Sequence, residues 1–438
     1  MPFKFSGGVH PPIYKSLTCD KSIKKGFVPK KVMIPLAQHV GAPAEPVVNV
    51  GDQVTAGALI GKAGGFISSP VHASISGKVA RITYSPTPNL GRVPSILIES
   101  DGTEDQEFKI SPRPGVEGLS SEELIAIIKD AGIVGLGGAA FPSHVKLSPP
   151  KGKTIDTVIL NGAECEPYLT CDHRLMVERP ADVLKGLGII VKILCVKKAY
   201  IAIEDNKPGA IETMTKAVKE LSDRVNGAEV AVTTLKTKYP QGAEKQLIRS
   251  VTGRIVPAGG LPMDVGCVVQ NVGTAVAIME AVYLSKPLFE RTITVTGSCL
   301  KEPANMTVRV GTLISDIIES LGGFKHEPRK IVVGGPMTGF AQFSTEIPVT
   351  KGTSGMIFMS KKEVDRTREG ACIRCGKCVE ACPMGLVPTT LMHLVKKENF
   401  AEAKEKGIMN CFECGACAYE CPAKIPLLDH MKYGKSKV

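Results

Sequence analysis

Eight of the fourteen cysteines in this 438-residue chain lie within its last 67 residues, where they form two copies of one pattern. Each copy has the spacing C-x2-C-x2-C-x3-C, and a proline follows the last cysteine. The first copy comprises Cys372, Cys375, Cys378 and Cys382, and the second comprises Cys411, Cys414, Cys417 and Cys421. Three thiolates at this spacing can surround one iron-sulfur cube, whereas the fourth is too close in sequence and points to a neighbouring cube. The repeated pattern therefore predicts two [4Fe-4S] clusters that are built together.

The sharing of ligands between the two clusters follows by analogy with two-cluster ferredoxins, in which the fourth cysteine of each motif binds the other cluster. By that analogy, one cluster is held by Cys372, Cys375, Cys378 and Cys421, and the other by Cys411, Cys414, Cys417 and Cys382. Zinc is the alternative metal, but zinc sites normally use two C-x2-C pairs separated by a dozen or more residues. The stretches 386–397 and 400–406 between the motifs have helical patterns, which is typical of an α-helical ferredoxin domain.

A glycine-rich loop at 135–142 is the second candidate site. It contains Gly135, Gly137, Gly138 and Phe141, and Lys146 follows it. Bare backbone amides in such a loop can closely approach a phosphate or a flavin ring. The alternative is an ordinary turn, because glycine is frequent in this chain, with 45 residues of 438. The loop follows a helical pattern rather than a strand, which argues against a Rossmann fingerprint.

Polar residues follow one predicted strand and open two predicted helices. Asn161, Glu164 and Glu166 lie at the end of the strand predicted at 155–160, and extended geometry sends both carboxylates to one side. They are either part of a solvated turn or acceptors for the hydroxyls of a ribose. Glu244 opens one later helix pattern and Asn271 opens another.

The elements that must position these residues follow from hydrophobic periodicity. Short apolar alternations and glycine turns at 32–100 predict a small β domain similar to the barrel-sandwich hybrid of lipoyl and biotinyl carriers. The swinging lysine of those carriers is missing from the stretch 63–68, so we assign the domain a docking role. Ser120 and Glu123 form a capping box before a helix, and strand and helix patterns then alternate to about 285. A strand, helix, strand unit resembling the β-grasp module comes next.

The predicted fold class is therefore multidomain α+β. The predicted domains are a basic N-terminal segment (1–31), a barrel-sandwich hybrid (32–110), an α/β nucleotide and flavin domain (111–288), a β-grasp module (289–360) and an α-helical two-cluster ferredoxin domain (361–438).

Charge and composition narrow the choice of partners. The chain carries 54 basic and 43 acidic side chains, and residues 1–31 alone hold seven lysines against Asp20. This basic segment is either a solvated tail or a contact for an anionic surface on a partner or membrane. The absence of tryptophan argues against binding of single-stranded nucleic acid. No apolar run is long enough to span a membrane and no secretory signal is evident, so we expect a cytoplasmic protein.

Taken in order, these segments resemble the flavoprotein NADH-binding subunit of respiratory complex I. That subunit has a glycine-rich loop with Phe-Pro and Lys, an Asn-x-x-Glu-x-Glu-Pro turn, a Gly-x-Glu helix start and an Asn-Val-x-Thr segment. The N-terminal hybrid domain and the doubled cluster motif make the chain more similar to the RnfC family, from the Rnf ion-translocating ferredoxin:NAD oxidoreductases, over essentially its whole length.

The resemblance implies that non-covalent FMN and the substrate NAD(H) share the pocket of the α/β domain. The pocket residues that it implies are Gly135, Gly137, Gly138, Phe141, Lys146, Asn161, Glu164, Glu166, Glu244 and Asn271, with Glu166 and Glu244 as the catalytic pair. Leu136 and Gln270 depart from the complex I pattern, in which Arg and Asn usually stand.

The function implied is that of a peripheral electron-transfer subunit on the cytoplasmic face of the membrane. Its partners are the other subunits of a membrane-bound complex, including a ferredoxin-like subunit, with ferredoxin itself reached indirectly. The alternatives are an electron-wiring scaffold without nucleotide binding, and the flavin subunit of a soluble dehydrogenase or hydrogenase.

Overall fold

The computed structural model describes residues 2–89, 91–100, 102 and 108–438. Parts of the predicted segments 1–31 and 32–110 therefore lie outside the described residues. The described chain forms four β-sheets and a helical C-terminal region, so the mixed α+β class is confirmed. The domain boundaries remain predictions.

The first domain is built from two small antiparallel sheets that share one core. The first eight strands of the chain are β1 (Ile23–Lys25), β2 (Lys31–Pro35), β3 (Glu45–Pro46), β4 (Gln53–Val54), β5 (Leu59–Lys62), β6 (Val71–His72), β7 (Gly77–Thr87) and β8 (Gly91–Ser100). One sheet has the order β2-β8-β7-β4 and the other the order β3-β5-β6. Val32 and Ile34 of β2 and Ile96 and Ile98 of β8 are buried at a period of two, as expected for strands with one face on a core.

The second domain is a mainly parallel sheet, with β11 antiparallel at one edge and helices on both faces. Its elements are α1 (Ser121–Asp130), α2 (Ser143–Lys146), β9 (Thr157–Gly162), α3 (Cys171–Glu178), α4 (Pro180–Leu194), β10 (Lys198–Glu204), α5 (Pro208–Glu220), β11 (Arg224–Val225), β12 (Ala228–Leu235), α6 (Glu244–Thr252), β13 (Cys267–Asn271) and α7 (Val272–Leu284). The predicted capping box of Ser120 and Glu123 is confirmed at the start of α1.

The strand order of this sheet, β11-β12-β10-β9-β13, identifies where a ligand fits best. The chain moves from β9 through β10 to β12, and then returns to place β13 on the other side of β9. The carboxyl ends of β9 and β13 therefore flank a topological switch point, which is where open α/β sheets bind their ligands.

The third domain contains β14 (Glu290–Thr296), β15 (Ala304–Arg309), α8 (Ile314–Ser320), β16 (Lys330–Val333), β17 (Phe340–Gln342) and β18 (Gly355–Met359). Its sheet has the order β1-β15-β14-β18-β16-β17, so β1 from the N-terminal segment supplies one edge strand. This strand was not predicted.

The C-terminal domain is helical, as expected. Its helices are α9 (Lys377–Glu380), α10 (Pro388–Lys396), α11 (Phe400–Glu405), α12 (Ala416–Tyr419) and α13 (Leu427–Ser436).

Short 3₁₀ helices occur at Val116–Gly118, Pro262–Val265 and Ile408–Asn410. None of the helices in the described part of the chain has both the length and the apolar character that crossing a bilayer requires.

Several described residues of the N-terminal segment pack against the other domains, so the segment is not a free tail at those positions. Phe5, Val9, Lys15 and Thr18 are buried. The remaining lysines of the segment are exposed.

Candidate functional site

Four of the cluster cysteines line one cavity in the C-terminal domain. Cys372, Cys375, Cys378 and Cys421 surround a space of about 570 Å³, together with the side chain of His393. The fourth ligand expected by analogy, Cys421, thus comes from the second motif. A cavity walled by four cysteines fits an iron-sulfur cube, which needs four thiolates.

The other four cysteines form a second group around Cys382. Cys382 is close enough to help raise the pKa of Cys411, Cys414 and Cys417, all of which belong to the second motif. Burial, followed by the neighbouring thiols, raises the pKa of Cys414 and of Cys417 to about 12. Thiols in such a place stay protonated unless a cationic metal core displaces the proton. The structure therefore brings together both groups of four, and their ligation of clusters remains a prediction.

The glycine-rich loop lies at the switch point of the α/β sheet. Asn161 and Asn271 are register partners at the carboxyl ends of β9 and β13. Asn271 also caps α7, because its side-chain oxygen accepts from the amides of Gly273 and Thr274. The Leu136 amide donates to Thr274 Oγ1 over 2.9 Å, which ties the loop to the start of the same helix.

The loop leaves room for a ligand at Gly138. A Cβ atom built on Gly138, whose φ is +148°, would meet nothing within 4 Å, so its backbone borders open space. At Gly137 the added atom would lie 3.2 Å from the Cβ of Asn271. Gly135 donates its amide to the carbonyl of Phe141 over 2.8 Å and so closes the loop. A backbone that borders open space at a switch point fits a flavin or a nucleotide phosphate.

Lys146 and Glu244 form an ion pair beside this loop. Their side chains are 24 % and 37 % exposed, so the pair faces solvent-accessible space. Glu244 is the first residue of α6, where the helix dipole favours a negative charge. The Asn161 side chain donates to the carbonyl of Gly242 over 2.8 Å and fixes the turn that presents Glu244.

The side chain of Glu164 is buried. Its backbone has φ +44°, and its carboxylate accepts from the amides of Asp172 and His173 at 2.8 and 3.3 Å. Asp172 in turn accepts from Asn271 Nδ2 over 2.6 Å. Burial, and then the Glu164 carboxylate, raise the pKa of Asp172 to about 7. Glu164 therefore connects to the glycine-rich loop through Asp172 and Asn271.

The Glu166 carboxylate is held by hydrogen bonds from a loop of the third domain. It accepts from the amides of Met337 and Thr338, at 3.0 and 2.9 Å, and from the Thr338 hydroxyl. These partners belong to the β-grasp module. Burial raises the pKa of Glu166, although its hydrogen bonds act in the opposite direction.

Three residues of the site were missed by reasoning from the sequence: Lys15, Asp172 and Arg291. The Arg291 guanidinium donates to the carbonyls of Leu136 and Lys351 at 2.7 and 2.6 Å, which holds the glycine-rich loop against the β-grasp module. The only sequence signal for Asp172 was its place at the start of a helix after the Glu164 turn. No sequence feature distinguishes Lys15 from the other lysines of the N-terminal segment, which are exposed.

Four family models match successive parts of the chain. The RnfC barrel sandwich hybrid domain matches residues 3–103, and the Nuo51 FMN-binding domain matches residues 128–280. The SLBB domain matches residues 292–341, and the 4Fe-4S dicluster domain matches residues 371–425. The predicted order of domain types is therefore confirmed.

Relatives align with nearly the whole chain. The matching subunit of the proton-translocating ferredoxin:NAD(+) oxidoreductase complex of Clostridium ljungdahlii is 50 % identical, over 99 % of this chain and 93 % of its own. Its Na(+)-translocating counterpart from Acetobacterium woodii is 44 % identical, over 99 % and 97 %. Among solved structures, an NAD+-reducing [NiFe]-hydrogenase in the H2-reduced state matches with a TM-score of 0.54 and 16 % identity, over 75 % of this chain and 65 % of that one. The last similarity concerns the fold alone.

Proposed function

This chain belongs to the RnfC family, whose members are subunits of ion-translocating ferredoxin:NAD oxidoreductases, and from that premise we propose which of its residues bind FMN, NAD(H) and the clusters. The observation that carries the proposal is the presence of an FMN-binding domain and a 4Fe-4S dicluster domain in one chain. A hydride carries two electrons and an iron-sulfur cube accepts one, and bound FMN supplies the chemistry that converts between them. The α/β domain would therefore exchange hydride with NAD(H), and the C-terminal domain would carry single electrons.

In this proposal the glycine-rich loop and Asn271 hold the flavin, with Phe141 closing the loop. Lys146 and Glu244 bind the nucleotide, because they form the solvent-accessible charged pair beside the loop. Asn161 positions the turn before Glu244. Glu244 is thus the acid of the expected catalytic pair that is free to contact the nucleotide.

Glu164 and Glu166 would act in different ways. The Glu164 side chain is 4 % exposed and reaches the loop through Asp172, so we assign it a positioning role. Glu166 was expected to share catalysis with Glu244. Since Met337 and Thr338 already donate to both of its oxygens, we propose that it holds the β-grasp module in place.

The contacts between domains support an order for the two clusters. Gln246 of α6 donates to the Pro383 carbonyl over 3.1 Å, and the Tyr239 hydroxyl donates to the Cys414 carbonyl over 2.7 Å. The group around Cys382 therefore lies next to the nucleotide domain. We place its cluster first on the electron path from the nucleotide domain. The cluster of the Cys372 group comes second, because its Cys375 is exposed and can face a partner.

As a subunit of this oxidoreductase, the chain would associate peripherally with membrane subunits at the cytoplasmic face. We propose a ferredoxin-like subunit as the partner of the cluster in the Cys372 group. Ferredoxin itself would be an indirect partner.

The test is anaerobic purification followed by iron, sulfide and flavin assays, with spectra recorded before and after NADH is added. We expect about eight iron and eight sulfide per chain, together with FMN that NADH bleaches. Iron without flavin would favour the electron-wiring scaffold instead. Copurification with the subunits of a soluble hydrogenase or dehydrogenase would favour the other alternative.

A further inference from the structure

Residues 3–18, which we call the N-terminal strap, contact both the nucleotide turn and the second cysteine group. We propose that this strap is a positioning element, which holds the cluster domain in register with the nucleotide pocket. The inference rests on the proposed function, because it assigns the strap to the electron step between the pocket and the Cys382 group.

The strap packs against the backbone of the cluster domain at Gly7 and Gly8. The Gly8 amide donates to the Ala381 carbonyl over 2.9 Å. A Cβ atom on Gly7 would lie 2.6 Å from the carbonyl carbon and oxygen of Cys382, so a side chain does not fit there. The strap thus touches the chain directly at one of the cluster cysteines.

The next residue joins the strap to the nucleotide domain. Val9 and Tyr239 exchange two backbone hydrogen bonds, of 2.7 and 2.9 Å, in an isolated antiparallel bridge. The Tyr239 hydroxyl in turn donates to the Cys414 carbonyl. Strap, nucleotide domain and cluster domain therefore meet at three consecutive strap residues.

The C-terminal end of the strap organises the turn that carries Glu164 and Glu166. Lys15 is buried, and its ammonium donates to the carbonyls of Glu164 and Glu166 at 2.9 and 3.0 Å and also to that of Leu169. The ammonium lies 3.9 Å from the Glu164 carboxylate. A single buried cation thereby fixes three carbonyls of this turn.

Further contacts on both sides of Gly7 and Gly8 hold the strap in place. The Phe3 amide donates to the Ser250 carbonyl over 2.8 Å, and the Lys238 ammonium lies 4.5 Å from the centre of the Phe5 ring. Tyr14 stacks on Tyr168 with ring centres 4.8 Å apart. Because the strap is anchored along its length, a disturbance at Gly7 would change the seating of the cluster domain.

The test compares Gly7→Ala with Gly115→Ala. The two glycines have nearly equal φ angles, +71° and +69°, but an added Cβ meets nothing within 4 Å at Gly115. The control therefore carries the same backbone strain without the clash. NADH supplies two electrons and releases NAD+ and a proton, and each cluster accepts one electron.

In Gly7→Ala we expect iron, bound FMN and the rate of flavin bleaching by NADH to match Gly115→Ala. We expect reduction of the clusters by NADH, measured by rapid mixing, to slow severalfold, because the rate of electron transfer falls as the distance between two centres grows. Hydrogen exchange should show faster exchange of the Val9 and Tyr239 amides than in the control.

Lys238→Met is the milder second variant, since it removes a contact to Phe5 without a clash. It should show the same pattern with a smaller effect. Equal cluster reduction and equal exchange in Gly7→Ala and Gly115→Ala would overturn the proposal, as would loss of iron in both Gly7→Ala and Lys238→Met. If NADH does not bleach the flavin of the wild type, the proposed function fails, while the exchange comparison still decides the role of the strap.

Discussion

Replacing Glu244 by glutamine should shift the choice between NADH and NADPH. Glu244 pairs with Lys146 at the edge of the proposed nucleotide pocket, and both side chains reach solvent. A carboxylate accepts hydrogen bonds from ribose hydroxyls and repels a 2′-phosphate. Glutamine keeps the shape and removes the charge. It also releases the Lys146 ammonium, which can then attract the phosphate.

The size of the shift follows from the exposure of the pair. Two unit charges about 4 Å apart at a protein surface interact with about 4 kcal/mol, which is the upper limit for a fully formed contact. Because Glu244 is 37 % exposed and Lys146 already offsets part of its charge, solvent screening reduces this value. We expect a net change of about 1 to 2 kcal/mol, or about five- to thirtyfold in the NADH to NADPH ratio.

The assay is diaphorase activity with an artificial acceptor, measured as kcat/KM for each nucleotide. Glu122→Gln, an exposed position in the first turn of α1, controls for the loss of one negative charge. Glu166→Gln should leave the ratio unchanged, because the β-grasp module occupies that carboxylate. A wild type that oxidises both nucleotides equally would refute the reasoning. So would a Glu244→Gln variant with an unaltered ratio.

Three further predictions concern the metal sites, the flavin and the pH dependence of stability. Cys382→Ser should alter the spectrum of the cluster expected at Cys411, Cys414 and Cys417, and damage confined to the Cys372 cluster would contradict the crossed ligation. Gly138→Val should abolish flavin retention while iron content is kept, because its side chain would fill the open space beside the loop; equal loss of both would indicate unfolding. The pKa of Asp172 is raised to about 7 from an ordinary value of 3.8, so the folded state retains a proton that the unfolded chain has lost, and stability falls as pH rises from about 4 to about 7. Asp172→Asn should therefore show a smaller drop in Tm between about pH 5 and about pH 7.5 than the wild type, and an equal drop would exclude Asp172 as the source.

The order of domain types could be predicted from the sequence because the relevant patterns are local. Period-two alternation identified the first β domain, and alternating strand and helix patterns identified the α/β domain. Strand β1 could not be predicted. It is three residues long, two of them are lysines, and its partner β15 lies far along the chain.

The site could be predicted only in part, for a related reason. Residue types and spacing pointed to the cysteines and the glycine-rich loop, and the family resemblance pointed to Glu244. The partners of Glu166 depend on how the loop at Met337 and Thr338 packs against another domain, and sequence spacing carries no information about that. Lys15 was treated as part of a charge run, because burial of one lysine among exposed ones depends on tertiary contacts alone.

The pairing of β1 with β15 also bears on how the chain is made. About 280 residues separate the two strands, and ribosomes add about 5 to 20 residues per second, so β1 emerges roughly 15 to 60 seconds before its partner exists. During that interval it is an unpaired strand that another nascent chain could join. Lys24 and Lys25 within the strand, and Lys21 before it, place positive charge on this edge. Charged residues at an edge oppose such pairing. We therefore expect these exposed lysines to protect the nascent chain from aggregation until the β-grasp module is complete.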